Sequence, residues 1–536
     1  MTDPRALAVT LYRAAVEGAA PRRRTRDAVL RWLDTQQALP DVARRIAREP
    51  VVRVFALGKA ASAMMAGAAE ALAARQLGAQ SGLVVTSHAA ERRDALEVQA
   101  FVPPCARTLI GDHPVPGPNS LAAADVLGEA VHEVEPGDLV IVLLSGGTTA
   151  LTAAPLPEFS RQVGDEGRAQ SHLANLADTL LESGLAIHEM NAIRRRVLRW
   201  SAGRLAVALH ARGAAHVAVF AVSDVVGDDP AVIGSGPCSP EPLDDATFLS
   251  LFDAHGLRDD IERDMAQFLG LQGDGEPPAV ASSTHPAFER VSYEVIARNR
   301  DAVDALAQAA RDAGIAHVFT DTVPLEGSAT DLGDAIARQA LSMATALPRG
   351  ERAVWVAGGE PVVDLRATLQ SAFEEDERRD AESESATDSD PADDDDDDDD
   401  DIADDGADDI AHDMANASRS APIGDDEPLR GGRMQALALA AALRLEQYAL
   451  SRDQAAWRVT VLAAGTDGRD GPTDAAGAIV DCASLMQARR FARRIPERDL
   501  ATGRSWFTLD AADSLLRTGP TGTNVMDIVA VMIDAQ

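Results

Sequence analysis

Lys59 is the one lysine in a chain that holds 50 Lys and Arg residues in all. It lies in the run Val-Arg-Val-Phe-Ala-Leu-Gly58-Lys59-Ala-Ala, where an apolar strand meets a glycine and a helix begins. A lysine presents a compact ammonium with three rotatable donors, whereas arginine presents a broad planar fork. A strand-to-helix turn also offers free backbone N–H groups and the positive end of the helix dipole, so Gly58-Lys59 has the chemistry of a phosphate site. A lysine serving only to cap the helix would oppose that dipole.

Other strand ends carry related chemistry. Ser145-Gly146-Gly147-Thr148-Thr149 follows an apolar run; its glycines let backbone amides approach an anion and its hydroxyls add donors. A tight turn is an equal reading of that loop, which has neither the Gly-x4-Gly-Lys-Ser/Thr nor the Gly-x-Gly-x-x-Gly spacing. Ser223-Asp224 closes another strand before Gly227-Asp228-Asp229-Pro230 and Gly234-Ser235-Gly236-Pro237. A carboxylate there suits a general base or a magnesium ligand. Further on, Gly465-Thr466-Asp467-Gly468-Arg469-Asp470-Gly471-Pro472-Thr473-Asp474 could set carboxylate oxygens around a divalent ion, without the spacing of an EF-hand. Thr518-Gly519-Pro520-Thr521-Gly522-Thr523-Asn524 is a second donor-rich loop, for phosphate or for a hairpin. Arg433, opening a helix after Gly431-Gly432, can clamp a carboxylate or phosphate with two donors. Donors, one lysine and several carboxylates without a nucleophilic triad suit phosphoryl transfer, where positioning and charge stabilisation do most of the work.

These loops need a scaffold of alternating strands and helices. Strand runs are expected at 52–57, 81–86, 138–144, 215–222, 293–297, 317–321, 353–357 and 458–463, with helices between them, which predicts an α/β fold with parallel strands. With 536 residues, two or more domains are expected. The predicted division is 1–245 and 246–536, with the active site in the cleft between them. The chain's net charge is −35, but residues 374–427 alone hold 26 acidic and 3 basic residues, leaving −12 elsewhere. That segment, which includes the unbroken run Asp393–Asp401, is predicted to be a solvated, disordered insertion. The mildly acidic remainder argues against a nucleic-acid surface. No membrane-spanning or leader segment is evident, and three scattered cysteines suit a reducing, cytoplasmic setting.

The order of these motifs, joined by His113-Pro114-Val115-Pro116, Asn191, Gly203-Arg204-Leu205-Ala206, Asn299-Arg300-Asp301 and Gly358-Gly359-Glu360-Pro361, resembles the class II glycerate kinases, the group whose C-terminal part is called MOFRL. The likeness covers nearly the whole chain apart from the acidic insertion. It implies a Rossmann-like N-terminal parallel sheet, a C-terminal α/β domain, and ATP- and Mg²⁺-dependent phosphorylation of D-glycerate, with 2-phosphoglycerate the usual product. It implies Lys59 and Asp224 as catalytic residues, and Ser145, Gly146, Gly147, Thr148, Asn191 and Arg433 around the substrate. Gly465, Asp467, Asp474, Thr521 and Asn524 would serve the nucleotide, with Asp467 and Asp474 on the metal. A homodimer is an open alternative.

The chain departs from the family at several positions. Thr148 and Thr149 stand where a glycine and a serine are usual, and Arg195, Arg196, Ser201 and Ala202 replace Lys-His and Lys-Gly pairs. Met434 and Met526 stand where asparagines are usual. Two alternatives follow: a hydroxypyruvate reductase, which would need a nicotinamide site, or a non-catalytic nucleotide-binding protein that keeps the fold.

Overall fold

The computed structural model describes residues 3–37, 51–77, 79–87, 106–113, 115–185, 187–272, 275–363, 429–451 and 457–535. The acidic segment 374–427 lies outside them.

The chain opens with two helices, α1 (Pro4–Gly18) and α2 (Pro21–Gln37), and then enters the first sheet. That sheet is built from β1 (Val52–Leu57), β2 (Ala79–Thr86), β3 (Ala106–Ile110), β4 (Leu139–Leu144), β5 (His216–Val222) and β6 (Val291–Ala297), in the order β3-β2-β1-β4-β5-β6. Every pairing in it is parallel. Crossovers include α3 (Ala61–Ala74), α4 (Pro118–His132) and α5 (Arg204–Ala211). The strand order reverses between β1 and β4, the switch point at which open α/β sheets hold ligands outside their carboxyl ends. Residues 291–297, expected in the second half, form the edge strand of this first sheet.

After α6 (Asn299–Asp312) the chain builds the second sheet from β7 (His317–Thr320), β8 (Arg352–Gly359), β9 (Trp457–Gly465), β10 (Gly477–Asp481), β11 (Leu515–Leu516) and β12 (Asp527–Ala535). Its order is β11-β10-β9-β12-β8-β7. Only β7 and β8 run parallel; the other pairings are antiparallel. The expectation of parallel strands therefore fails here, because apolar alternation marks a strand without giving its direction. Helices α7 (Ala329–Ala346) and α8 (Arg433–Ser451) cover one face.

Alternation along the central strands explains the layering. In β4, Leu139, Ile141 and Leu143 face one core, while Val140, Val142 and Leu144 face another. In β12, Ile528, Ala530 and Met532 join the same core as Leu139, while Val529, Val531 and Ile533 pack under α7 and α8. The shared core also holds residues of α1, α2, α3 and α6, so these helices are the layer between the two sheets. A strand buried on both faces reads as a continuous apolar run, as β4 and β12 do. The helices 157–163, 166–182, 187–197, 245–254 and 263–268 gather around a separate apolar cluster that includes Phe159, Phe248 and Phe252.

Candidate active site

The carboxyl ends of β1, β4 and β5 lie side by side, and their loops are packed with little clearance. Gly58 has φ +118°, and a Cβ there would run into Ser145. Lys59 N donates to Gly146 O at 2.9 Å. Gly147, at φ +85°, lets the backbone pass the Lys59 side chain and His113; a Cβ there would stand 3.2 Å from Lys59 Cγ and 3.1 Å from His113 Cδ2. Gly146 faces Asp224, whose carboxylate occupies the place a side chain would take. Two glycines thus let Lys59, His113 and Asp224 crowd one spot.

The hydroxyls of this loop hold its own backbone. Ser145 Oγ accepts from Ala60 N at 3.0 Å, and Thr148 Oγ1 lies 2.7 Å from Ser145 O and 2.9 Å from Leu57 O, with its one proton to give to either. Both residues are buried. Ser145 and Thr148, expected to face the substrate, thus tie the loop to the end of β1 and present Gly146 and Gly147 instead.

The second sheet brings its own groups to the same place. Asp527 pairs in register with Gly359 on one side and Gly465 on the other, so the ends of β8 and β9 and the start of β12 coincide. Arg433, the first residue of α8, donates from Nη1 to Glu360 Oε1 at 2.8 Å, and its Nε lies 2.6 Å from Asp527 Oδ2. Asp470 caps that helix, accepting from Met434 N at 3.1 Å and Gln435 N at 2.7 Å. Such a carboxylate satisfies N–H groups with no partner inside the helix. Asp467 stays near the centre, where its charge acts on both Asp224 and Asp470. The loop 518–524 is pinned beside it: Thr521 N donates to Asp467 O at 3.1 Å and Thr521 Oγ1 to Thr466 O at 2.5 Å.

Asn524 joins the halves, donating from Nδ2 to Asp224 Oδ2 at 3.0 Å. Asn299 does the same farther back, donating to Val525 O and Asp527 O, each at 2.8 Å. The cleft expected between the halves therefore has named groups on both walls: Lys59, His113 and Asp224 on one, Arg433, Glu360, Asp467 and Asn524 on the other.

The electrostatics follow from one lysine and one arginine facing several acids. Burial pushes the Asp224 carboxyl up to about 6; Lys59 opposes the shift, and Glu360 and Asp467 add to it. Burial likewise raises Asp470 to about 7 and Asp527 to about 8, against the pull of Arg433. Interacting acids of this kind titrate as a group, so the cluster around Arg433 takes up protons close to neutrality. His113 goes the other way: partial burial against Gly147, and then the Lys59 charge, lower it to about 4. Its imidazole is neutral at neutral pH.

Two expected residues stand elsewhere. The exposed Asp474 accepts from Arg517 Nε at 2.9 Å and Trp506 Nε1 at 2.8 Å, with Arg430 stacked over the same indole at 3.6 Å. The carboxylates of Asp467, Asp470 and Asp474 thus diverge, and the pairing of Asp467 with Asp474 on a metal is not what the fold arranges. Among the described residues no group of three or more His, Cys, Asp or Glu could hold a metal ion. Asn191 is half-buried on the helix 187–197, within the helical cluster. There Arg195 forms a buried ion pair with Glu241 at 2.8 Å, and Ser201 O accepts from Arg204. His113, Glu360 and Asp527 were given no role by sequence reasoning. His113 and Glu360 lie in motifs that support the family resemblance, whereas Asp527 has only its place at the head of an apolar run.

Known proteins resemble this chain over most of its length. The domain of unknown function DUF4147 matches residues 7–270, and the MOFRL family matches residues 425–527. A protein of Agrobacterium vitis, provisionally named a hydroxypyruvate reductase, is 30% identical over 90% of this chain and 86% of its own. The glycerate 2-kinase of Pyrococcus horikoshii is 28% identical over 90% of this chain and 88% of its own, and the D-glycerate 2-kinase of Thermotoga maritima 26% identical over 99% and 100%. The crystal structure of a Thermotoga maritima glycerate kinase superposes with a TM-score of 0.66 at 24% identity, covering 98% of each chain. With both family regions present in order and full-length relatives at this level, the chain belongs to the class II glycerate kinase family, the enzymes built from DUF4147 and MOFRL parts.

Proposed function

We propose that this protein transfers the γ-phosphoryl group of MgATP to the 2-hydroxyl of D-glycerate, giving 2-phosphoglycerate. The observation that carries this reading is the facing of Lys59 and Asp224 by Glu360 and Asp467 across the junction of the two sheets, closed by the Asn524–Asp224 hydrogen bond, with Arg433 held on Glu360. The names of the Pyrococcus and Thermotoga relatives supply the acceptor.

Asp224 is the base. Its pKa of about 6 leaves it mostly ionised at neutral pH yet basic enough to accept the acceptor's hydroxyl proton, the match that general-base catalysis rewards. Lys59 neutralises charge on the phosphoryl group in flight, helped by the backbone of Gly146 and Gly147. Arg433 has five N–H donors; Glu360 and Asp527 hold its orientation while it grips the acceptor's carboxylate. Neutral His113 offers a hydrogen bond without adding a second full charge. Among the described residues none form a resident magnesium cage; Mg²⁺ would enter as part of the nucleotide substrate, and Asp467 is the carboxylate that would hold it. Magnesium is commonly bound by one or two carboxylates plus substrate phosphates.

A coupled assay of ADP release, with MgATP and a panel of small hydroxy acids, tests the reading. D-glycerate should be the best acceptor; absence of ADP with D-glycerate at low and high salt would refute it. NADH with hydroxypyruvate, in a separate arm, tests the reductase alternative and should give no change in absorbance.

A further inference from the structure

A recess opens beside the catalytic centre, and Lys59 is not among its lining residues. It has a volume of about 120 Å³ and lies between the loop after β5, the start of α6, the loop after β7 and the end of β8. Whole small-molecule sites occupy about 300–1,000 Å³, so this recess has the size of a subsite for one part of a ligand. Its walls include the neighbours of three residues already placed at the centre: Val225 follows Asp224, Gly359 precedes Glu360, and Met526 precedes Asp527.

The recess is firmly built. Asn299 fixes its floor through Val525 O and Asp527 O. A Cβ on Gly358 would strike the Asn299 amide, and one on Gly359 would strike the backbone of Leu325, so these two glycines keep the wall flat. Asp321 N donates to Val356 O at 2.8 Å and Leu325 N to Gly358 O at 2.9 Å, tying the loop after β7 to β8. Arg300 Nη1 closes one side on Asp321 O at 3.2 Å.

Its chemistry differs from that of the main cleft. Val225, Val226, Val303, Val323, Pro324 and Met526 supply aliphatic faces. Val323 is 69% exposed, an apolar side chain left at the rim of a cleft. The charged lining is Asp228, Asp321 and Arg300; Arg300 is engaged by Asp304 at 2.8 Å, and Asp228 lies 3.8 Å from Arg298 Nη1. Arg300 and Arg298 are each held by a carboxylate, so an anionic acceptor or a phosphate finds no ready cation in this lining. A flat, uncharged ring with hydroxyl donors would be accepted, its faces against the valines and its hydroxyls toward Asp321 or Asp228.

We propose that this recess is the nucleoside subsite, holding the base and ribose of a purine nucleoside triphosphate while its phosphates pass Met526 toward the 518–524 loop and Lys59. The proposal rests on the kinase reading and adds to it the place of the donor's uncharged end.

Two variants test it by different physics. Val323→Asp adds a charge at an exposed rim position, and Val226→Trp fills the recess with bulk. Binding of ADP, and separately of inorganic tripolyphosphate, is measured by calorimetry on the full chain, with thermal midpoints recorded to confirm folding. Each variant should weaken ADP about tenfold or more while tripolyphosphate changes by less than about twofold. In turnover, KM for ATP should rise and KM for D-glycerate should hold. Equal weakening of both probes, no weakening of ADP in either folded variant, or a rise confined to KM for D-glycerate would overturn the subsite. Binding is read without turnover, so a wild-type protein that binds ADP but does not phosphorylate D-glycerate would defeat the acceptor assignment and leave the subsite standing.

Discussion

Asn524 Nδ2 stands 3.0 Å from Asp224 Oδ2, a hydrogen bond between residues 300 positions apart that spans the two sheets. It makes the protonation of the base on one half depend on a loop of the other. Replacing Asn524 with Asp would set a carboxylate against a carboxylate at the same distance. Like charges raise a carboxyl pKa, so the acid limb of kcat/KM should move up by about one pH unit from its wild-type position near 6. The sign is fixed by the role: a base works ionised, so activity falls as pH drops through its pKa. A kcat/KM profile between pH 5 and 9 reads the shift.

The structure separates the roles of two acids that share a loop. Asp474 is held by Arg517 and Trp506, whereas the charge of Asp467 acts on Asp224. Asp474→Asn should leave KM for MgATP within about twofold, in keeping with an exposed surface pair. Asp467→Asn should lower kcat about tenfold or more and weaken the dependence on Mg²⁺. Initial rates over a magnesium titration distinguish the two variants.

Ser145 and Thr148 face the backbone, and that predicts a loss of stability rather than of substrate affinity. Ser145→Ala leaves Ala60 N–H buried without its acceptor. An orphaned buried donor costs about 1–3 kcal/mol. Denaturant unfolding should show that loss, while KM for D-glycerate should change little.

Asp470 makes stability depend on pH in a direction opposite to that of most carboxylates. Its pKa rises from 3.8 to about 7 on folding. A raised carboxyl binds its proton more tightly in the folded state, so its contribution is complete below about pH 4 and is lost as pH climbs through about 7. Asp470→Asn keeps an acceptor for the start of α8 and has no proton to lose. Between pH 4 and 7 the variant should gain on the wild type by at most about 1.4 kcal/mol per pH unit. Urea unfolding of both proteins across that range measures the difference.

Much of this was legible in the sequence, and the gaps have physical causes. Leu139–Leu144 and His216–Val222 are long apolar runs ending in glycine or acid, so both strands and the places of Gly146 and Asp224 could be read directly. Ile528–Ile533 carries the same signal and becomes a central strand of the second sheet, yet it went unread because no motif followed it. Strand direction was not legible, since side-chain alternation is the same for parallel and antiparallel pairs. Nor was the partner of a hydroxyl or carboxylate: Ser145 binds backbone and Asp470 caps a helix, but either residue type could equally face a ligand. Glu360 and Asp527 were hidden among 85 acidic residues, and only the register of β8, β9 and β12 brings them to Arg433. Lys59 was legible for the opposite reason, as a type used once.

Lys59→Arg gives the most direct test of the central claim, because it keeps the charge and changes only its shape. With MgATP and D-glycerate, the wild type should release ADP in step with phosphoglycerate, and the variant should lose about 10²-fold or more in kcat, typical of removing one preorganised donor. Wild-type turnover in Lys59→Arg would contradict the account.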